Sequence, residues 1–363
     1  MTDLEGETMR VLVTGHQGYL GTIMTRVLAD AGHDVTGLDT GLYASRVLGP
    51  TPYDPPGLGV DLRDVTADQL AGFDAVVHLA ALSNDPLGSL DPTLTYAINH
   101  RASTRLARLA KGAGVRRFLY ASTCSVYGAA GDALVDESAE LHPVTPYAVS
   151  KVKVEGDLHA LADDAFTPVY LRNATAFGFS PRLRADIVLN NLVGTAVLTG
   201  RITVLSDGTP WRPLVHAEDI ATAFEAALVA PREAVHDKAF NIGDEKNNLT
   251  VAQIAAAVAD AVPGSVLDIT GEHGADPRSY RVDFSAVRAA LPGWRARWDV
   301  AAGAAELAAA YVEHGLTEHA FIHDHVRLAT LTERRAAGEL GDDLRPTGSA
   351  AVTQTLTQPI TER

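Results

Sequence analysis

A doubly wound α/β fold, with helices on both faces of a parallel sheet, is predicted by three features of the chain. Short apolar runs alternate with helical patterns through its first half. A glycine-rich turn, Thr14-Gly-His-Gln-Gly-Tyr-Leu-Gly21, joins the first such run to the first helical pattern. Tyr147 and Lys151 stand four positions apart in a later helical segment, which sets a phenol and an ammonium on one helix face.

Taken in order, Val11–Thr14, Asp34–Leu38, Ala75–Leu79, Arg117–Ser122 and Pro168–Arg172 read as strands, rich in β-branched and aromatic residues. Between them Tyr19–Ala31, Thr93–Gly112 and Pro146–Ala162 carry helical periodicity, and this βαβ alternation is the signature of a parallel sheet. The Pro/Gly-rich stretch Gly49–Gly59 is expected to be a loop. From Gly178 the pattern is less regular. Arg201–Leu205 and Ala239–Ile242 read as strands, Thr250–Val262 as a helix capped by Thr250, and Asp299–His314 as an Ala-rich helix. Thr317–Gly338 reads as one further helix. Gly341–Arg363, Thr/Gln/Pro-rich and without hydrophobic periodicity, is expected to be disordered. No internal repeat is present.

A chain of 363 residues has the length for one large domain or two closely packed ones. With 45 acidic and 30 basic residues the net charge is −15, which argues against a general nucleic-acid surface while allowing a local basic pocket. The single cysteine, Cys124, excludes an intramolecular disulfide framework and fits a reducing compartment. No apolar run has the length of a membrane span, and Met1 to Met9 is polar and acidic, unlike a secretory signal. The expectation is a cytoplasmic protein with no membrane partner and no metal.

In the glycine turn, Gly15 allows the tight bend, Gly18 lets backbone approach a pyrophosphate, and Gly21 lets helix and strand pack closely. The phosphates would sit at the helix N-terminus, among Gln17, Tyr19 and Leu20, where free N–H groups favour anions. Asp39, at the end of the second strand, suits the adenosine ribose hydroxyls and repels a 2′-phosphate, so NAD is favoured over NADP. A lysine beside a tyrosine stabilises the phenolate, so Tyr147 can act as a base nearer neutral pH.

The Gly-x-x-Gly-x-x-Gly spacing and the Tyr147–Lys151 pair together resemble the extended branch of the short-chain dehydrogenase/reductase superfamily, that of nucleotide-sugar epimerases and dehydratases. The resemblance covers about residues 9–315 and implies a Rossmann-like domain over residues 9–178, to which later elements can return. It further implies a smaller C-terminal α/β substrate-binding domain, mainly residues 179–315. Residues 316–340 are then a helical extension and 341–363 a tail. Family members often pair as homodimers through two helices of each subunit, here Thr93–Gly112 and Pro146–Ala162.

Carried over residue by residue, the resemblance makes Asp61 and Leu62 an adenine contact. Leu79, Ala80 and Ala81 become the small-residue floor under the dinucleotide, His78 a structural neighbour, and Asn99 a support of the active site. Thr123 takes the position of the catalytic Ser/Thr, beside the sugar oxygen that Tyr147 deprotonates, while Lys151 holds the nicotinamide ribose. The 4,6-dehydratases of the family carry an Asp-Glu pair next; here stand Cys124 and Ser125. Neither replaces a carboxylate easily, although a tuned thiol can act as acid or base, which makes Cys124 a candidate. For the nucleotide sugar the matching positions are Thr175 (where the family has an asparagine), Asn191 with Asn190 as fallback, Arg212 with His216 and Asp219, and Arg278. The two arginines would form a bidentate diphosphate clamp. Ser83 and the Arg182/Arg184 pair border the expected sugar position.

The resulting expectation is an NAD-dependent nucleotide-sugar epimerase working through a transient keto-sugar. Its rivals are a dehydratase or oxidoreductase of the same family using Cys124, and a catalytically silent NAD(H) sensor, a class in which the tyrosine or lysine is commonly lost.

Overall fold

Seven short segments pair side by side into one parallel sheet: β1 (Arg10–Thr14), β2 (Asp34–Asp39), β3 (Gly57–Gly59), β4 (Ala75–His78), β5 (Arg117–Thr123), β6 (Thr167–Asn173) and β7 (Lys238–Ile242). The computed structural model containing them describes residues 8–128, 133–272 and 279–347. Their order across the sheet is β7-β6-β5-β4-β1-β2-β3, so the winding reverses between β1 and β4. Val13 pairs with Gly37 on one side and Val77 on the other, and Thr123 with Asn173. The middle strands β4, β5 and β6 are buried along their whole length, as sheets covered by helices on both faces require.

The helix Tyr19–Asp30 follows β1 without a side-chain cap at Gly18 and buries Met24 and Leu28 against the sheet. Gly21 makes that approach possible: a Cβ there would lie 2.1 Å from the Gly15 carbonyl oxygen. The predicted helix Thr93–Gly112 is helical throughout, but Tyr96–Ala102 is wound as a π-segment between Pro92–Thr95 and Ser103–Gly112. Within this wider turn Asn99 pairs its amide with both backbone groups of Leu82 (2.8 and 3.0 Å).

Three expectations need correction. The stretch Gly49–Gly59 ends in a strand, because Gly57–Gly59 pairs with Gly37–Asp39 at the sheet edge, where proline and glycine are tolerated. Thr317–Gly338 is broken at His325–Val326 into a π-turn, Ala320–Asp324, and the helix Arg327–Ala336. The break lets the His325 carbonyl accept from Ala185 N at 2.8 Å. Residues 341–347 are packed rather than disordered: Leu340 bridges to Pro346, and Leu340 and Leu344 are buried with Leu82, Leu87 and Leu331. The remainder of that tail, 348–363, lies outside the described residues.

Beyond β6 the chain adds two smaller sheets. Thr175–Phe177, Trp211–His216 and Asn248–Thr250 form one, and Arg201–Val204 with Val266–Ile269 the other. The helices Val188–Thr199, Val251–Ala261 and Val300–Glu313 share a second core around Leu189, Ile254, Leu307 and Tyr311. Val188–Thr199 escaped sequence reading because it is apolar on most sides, which removes the amphipathic period. Thr250 caps its helix through a reciprocal capping box with Gln253, as its position predicts.

The helix Pro146–His159 carries little amphipathic contrast of its own and is fixed to the sheet by a buried ion pair. Arg172 of β6 donates to Glu155 through Nε (3.1 Å) and Nη2 (2.7 Å), and Ser122 Oγ of β5 donates to the same carboxylate at 2.5 Å. Arg172 also reaches Tyr127 Oη at 3.1 Å, which in turn donates to Asn241 of β7 at 2.7 Å. Removing one partner of such a pair strands a charge in the interior. Glu155→Ala is therefore expected to lower unfolding free energy by about 3–5 kcal/mol, and the double change Glu155→Leu with Arg172→Met to recover most of it, as read from urea midpoints.

Candidate active site

At the carboxyl ends of β1, β4 and β5, where the winding reverses, the chain leaves a cavity of about 580 Å³. One wall is the glycine turn, with Gly15, Gly18, Tyr19, Leu20 and Gly21 all lining it. Gly15 has φ +76°, and a Cβ there would lie 2.8 Å from Ala80 N, so turn and β4 end touch backbone to backbone. Leu79, Ala80 and Ala81 line the adjoining floor.

Asp39 lines the cavity while Oδ2 accepts from Gln17 N (3.0 Å) and Oδ1 from Gly41 N (2.9 Å). The Gln17 side chain turns instead to Asp54 (2.9 Å) and is not part of the lining, so its contribution is that backbone donor. Asp61 and Leu62 both line the cavity. Burial alone would raise the Asp61 pKa, but bonds from Arg63 outweigh it and hold the carboxyl below its usual range. Asn99 stays behind the wall, where its amide fixes Leu82.

Tyr147, Lys151 and Thr123 meet in the same cavity. Thr145 caps the helix by accepting from Ala148 N, and Pro146 occupies its first position, which suits a residue without an N–H. Lys151 is 3% exposed, donates to Ala121 O at 2.7 Å, and stands 5.6 Å from the centre of the Tyr147 ring. Burial drives its pKa down to about 7, with Glu155 opposing that shift in part. Gly88 packs against Tyr147 so closely that a Cβ would lie 3.0 Å from the tyrosine Cβ. Thr123 closes the strand, and its Oγ1 accepts from Ser125 N at 3.1 Å.

Cys124 is not brought to this site. Ser125 lines the cavity, whereas Cys124 is buried in the core behind it, with Sγ donating to Arg172 O at 3.1 Å. Burial pushes its thiol pKa well up, which leaves it a core residue rather than an acid or base. His78 is likewise structural: it bridges Thr14 Oγ1 (2.6 Å) and Ser103 Oγ (2.7 Å). Burial, assisted by the Lys151 charge, brings its pKa down to about 3.

On the far side Ser83, Thr175, Asn191 and Arg212 line the cavity. Asn191 donates to Ala185 O at 3.0 Å, while Asn190 is fully buried on Gly178 and Arg184 backbone. His216 and Asp219 do not line it. The histidine pairs with Glu306 (2.9 Å) and stacks on Trp298, and the carboxylate accepts from Arg297 N and Trp298 N. Arg278 lies outside the described residues. Of the Arg182/Arg184 pair, Arg184 lines the cavity and is held by Asp186 through Nε (2.9 Å) and Nη2 (3.2 Å), whereas Arg182 is engaged by Thr22 and Asp54.

Sequence reasoning missed Asn173, Tyr43, Asp186, Arg327 and Leu344, all of which line the cavity. Asn173 stands two positions before Thr175; its Nδ2 donates to Ser122 O, and its Oδ1 is buried without a partner. The others carry no local signal, since each is brought in by long-range packing.

The family model described as "NAD dependent epimerase/dehydratase family" matches residues 11–243. The UDP-glucose 4-epimerase of Mycolicibacterium smegmatis is 31% identical over 312 residues, which span 82% of this chain and 97% of its own. The dTDP-glucose 4,6-dehydratase of Streptomyces griseus is 29% identical over 328 residues, 85% of this chain and 95% of its own. Among solved structures, that of MoeE5 in complex with UDP-glucose and NAD superposes with a TM-score of 0.72 at 26% identity, covering 84% of this chain and 99% of the other. No helix among the described residues is long and apolar enough to cross a membrane.

Because Lys151 holds its proton less tightly in the folded protein, the unfolded chain binds more protons between about pH 7 and the ordinary lysine range. Stability of the nucleotide-free protein is therefore expected to rise with pH across that window. Lys151→Met is expected to flatten the rise, measured as melting temperatures at about pH 6.5 and about pH 9.5.

Proposed function

The chain belongs to the NAD-dependent epimerase/dehydratase family, and within it we propose that it is a nucleotide-sugar epimerase acting through a transient keto-sugar. The observation that carries the reading is the composition of the cavity around Thr123, Tyr147 and Lys151. The residue next to Thr123 is a thiol turned into the core, and the following one, Ser125, is a hydroxyl. Asp186, a carboxylate that does line the cavity, is engaged by Arg184 and by Asn84 Nδ2 at 2.5 Å. A dehydratase needs an acid to expel water and a base to take a proton from carbon; neither of the two residues after Thr123 is a carboxylate, and among the described residues the other carboxylates of the lining, Asp39, Asp61 and Asp85, are engaged by the glycine turn, Arg63 and Thr145. The loss of Cys124 from the cavity weighs equally against the rival in which that thiol is catalytic.

The cavity suits NAD: glycine backbone borders the span of a diphosphate, Asp39 sits at the ribose end, and a buried ammonium stands at the other. When bound, NAD supplies the acceptor and then the donor of hydride. In this reading Tyr147 takes the proton from a sugar hydroxyl while the Thr123 hydroxyl hydrogen-bonds the same oxygen. Lys151, already desolvated, favours the phenolate form of Tyr147 and holds the nicotinamide ribose. Loss of that proton together with hydride from the same carbon would give the keto-sugar, and return of the hydride to its opposite face, with Tyr147 giving the proton back to the oxygen, would complete the epimerisation. Arg212, Asn191 and Thr175 would hold the nucleotide diphosphate, the arginine by paired N–H donors.

The test is turnover of UDP-glucose and related nucleotide sugars by the purified enzyme with NAD. A product of unchanged mass and inverted configuration is expected; loss of water would sink the epimerase reading. Tyr147→Phe is expected to lower kcat by about 10²–10⁴-fold. Cys124→Ala should leave kcat within a few-fold and cost only about 1 kcal/mol of stability.

A further inference from the structure

Arg327 opens the helix that follows the break at His325–Val326, and it is 2% exposed. Its Nη2 donates to Arg182 O at 2.9 Å, and its guanidinium lies over the Tyr43 ring, 4.1 Å from the centre. Nη1 is buried with no hydrogen-bond partner, and so is the Tyr43 hydroxyl; both residues line the cavity. Among the described residues no carboxylate forms an ion pair with this guanidinium, and Asp186 and Asp39 act on it only at longer range. Asp186 is taken by Arg184, and Asp39 by the glycine turn. A buried cation facing a cavity without a counter-charge is a site for an anion brought by a ligand.

The segment that carries Arg327 crosses the adenosine end. Leu344 lines the cavity together with Asp61 and Leu62, and Arg345 pairs with Asp64 just beyond them. Arg334 Nη1 donates to Leu42 O at 2.8 Å, and Leu331, Leu340 and Leu344 pack on Leu82, Leu87 and Leu94. Arg327 itself stands on Tyr43, shortly after the ribose-end acid Asp39, and its charge also feels Arg184, which reaches towards Ser83. Between adenosine and nicotinamide, the anionic part of a dinucleotide is its diphosphate.

We propose that Arg327 is a clamp on the cofactor's diphosphate, delivered by the C-terminal strap of residues 327–347, so that docking of the strap holds NAD in the enzyme. A planar guanidinium with a free Nη1 gives the charge-assisted bond this requires. The inference rests on the reading of the cavity as an NAD site.

The full-length enzyme, its Arg327→Met and Arg327→Lys variants, and Leu344→Ser are compared by NAD titration, by NAD retained through gel filtration, and by melting temperature without nucleotide. Arg327→Met is expected to weaken NAD at least tenfold with Arg327→Lys in between, while the nucleotide-free melting temperature changes by only a few degrees, because relief of the unpaired buried charge offsets the lost bond to Arg182 O. Leu344→Ser, which loosens the strap and leaves the arginine, is expected to speed NAD release severalfold and keeps the test alive should the methionine variant fail to fold. Unchanged NAD affinity in Arg327→Met would overturn the clamp. So would weaker binding of UDP with NAD unaffected, which would assign the arginine to the substrate diphosphate, or a lowered melting temperature alone, which would make it structural. If the wild-type enzyme bound no NAD, the cavity reading itself would fall first, and visibly apart from the variants.

Discussion

Glu155 lies one helical turn beyond Lys151, and the geometry of the site depends on how it is tied down. Its carboxylate takes two bonds from Arg172 of β6 and one from Ser122 of β5. The helix Pro146–His159 is thereby locked onto the two strands that end at Thr123 and Asn173. At its other end Thr145 donates to Asp85 at 2.5 Å and Gly88 packs against Tyr147. A helix with so little amphipathic contrast would otherwise be free to slide or roll on the sheet. Buried ion pairs are poor sources of net stability, since desolvation offsets most of their attraction. This one instead sets position: the phenol, the ammonium and the threonine hydroxyl all hang from elements that it joins.

Around the cavity the chain departs repeatedly from the rule that buried polar groups are paired. The Lys151 ammonium is desolvated with one carbonyl acceptor at hand, the Asn173 Oδ1 is buried without a partner, and Tyr43 and Arg327 are left in the same condition. Elsewhere His78, Asn190 and Asn241 are paired, while His16 Nδ1, His33 Nε2 and Tyr120 Oη are buried without a partner as well. Such local debts are tolerated when the rest of the fold over-determines the position of each group.

The parts of this protein legible in the sequence are those encoded locally. The glycine turn, the Tyr147–Lys151 pair and strands β1, β2, β4, β5 and β6 declare themselves through spacing and apolar runs of strand length, and the structure has them within a residue or two. The C-terminal half was harder to read because its helices are apolar on most sides or alanine-rich and lose their period. Cys124 could not be placed from sequence because its position beside Thr123 says nothing about which way the chain turns after β5; the short helix Cys124–Tyr127 directs the thiol inward and Ser125 to the cavity. Residues 341–347 looked structureless by composition, since the leucines that bury Leu344 come from far upstream. Tyr43 and Arg327 belong to the same class: their surroundings are assembled from distant segments, and no window of sequence contains them.

The outermost strand of the main sheet has a consequence for how the molecule is made. β7 comes from Lys238–Ile242, after the chain has already laid down strands and helices of the second core. Emerging from a ribosome, the nucleotide-binding half would stand for some sixty residues of synthesis with β6 as a bare edge and Tyr127 waiting for Asn241. Vectorial folding of that half cannot finish before the other has begun. The interval between them is when the growing chain is most open to pairing with a neighbour instead of with itself.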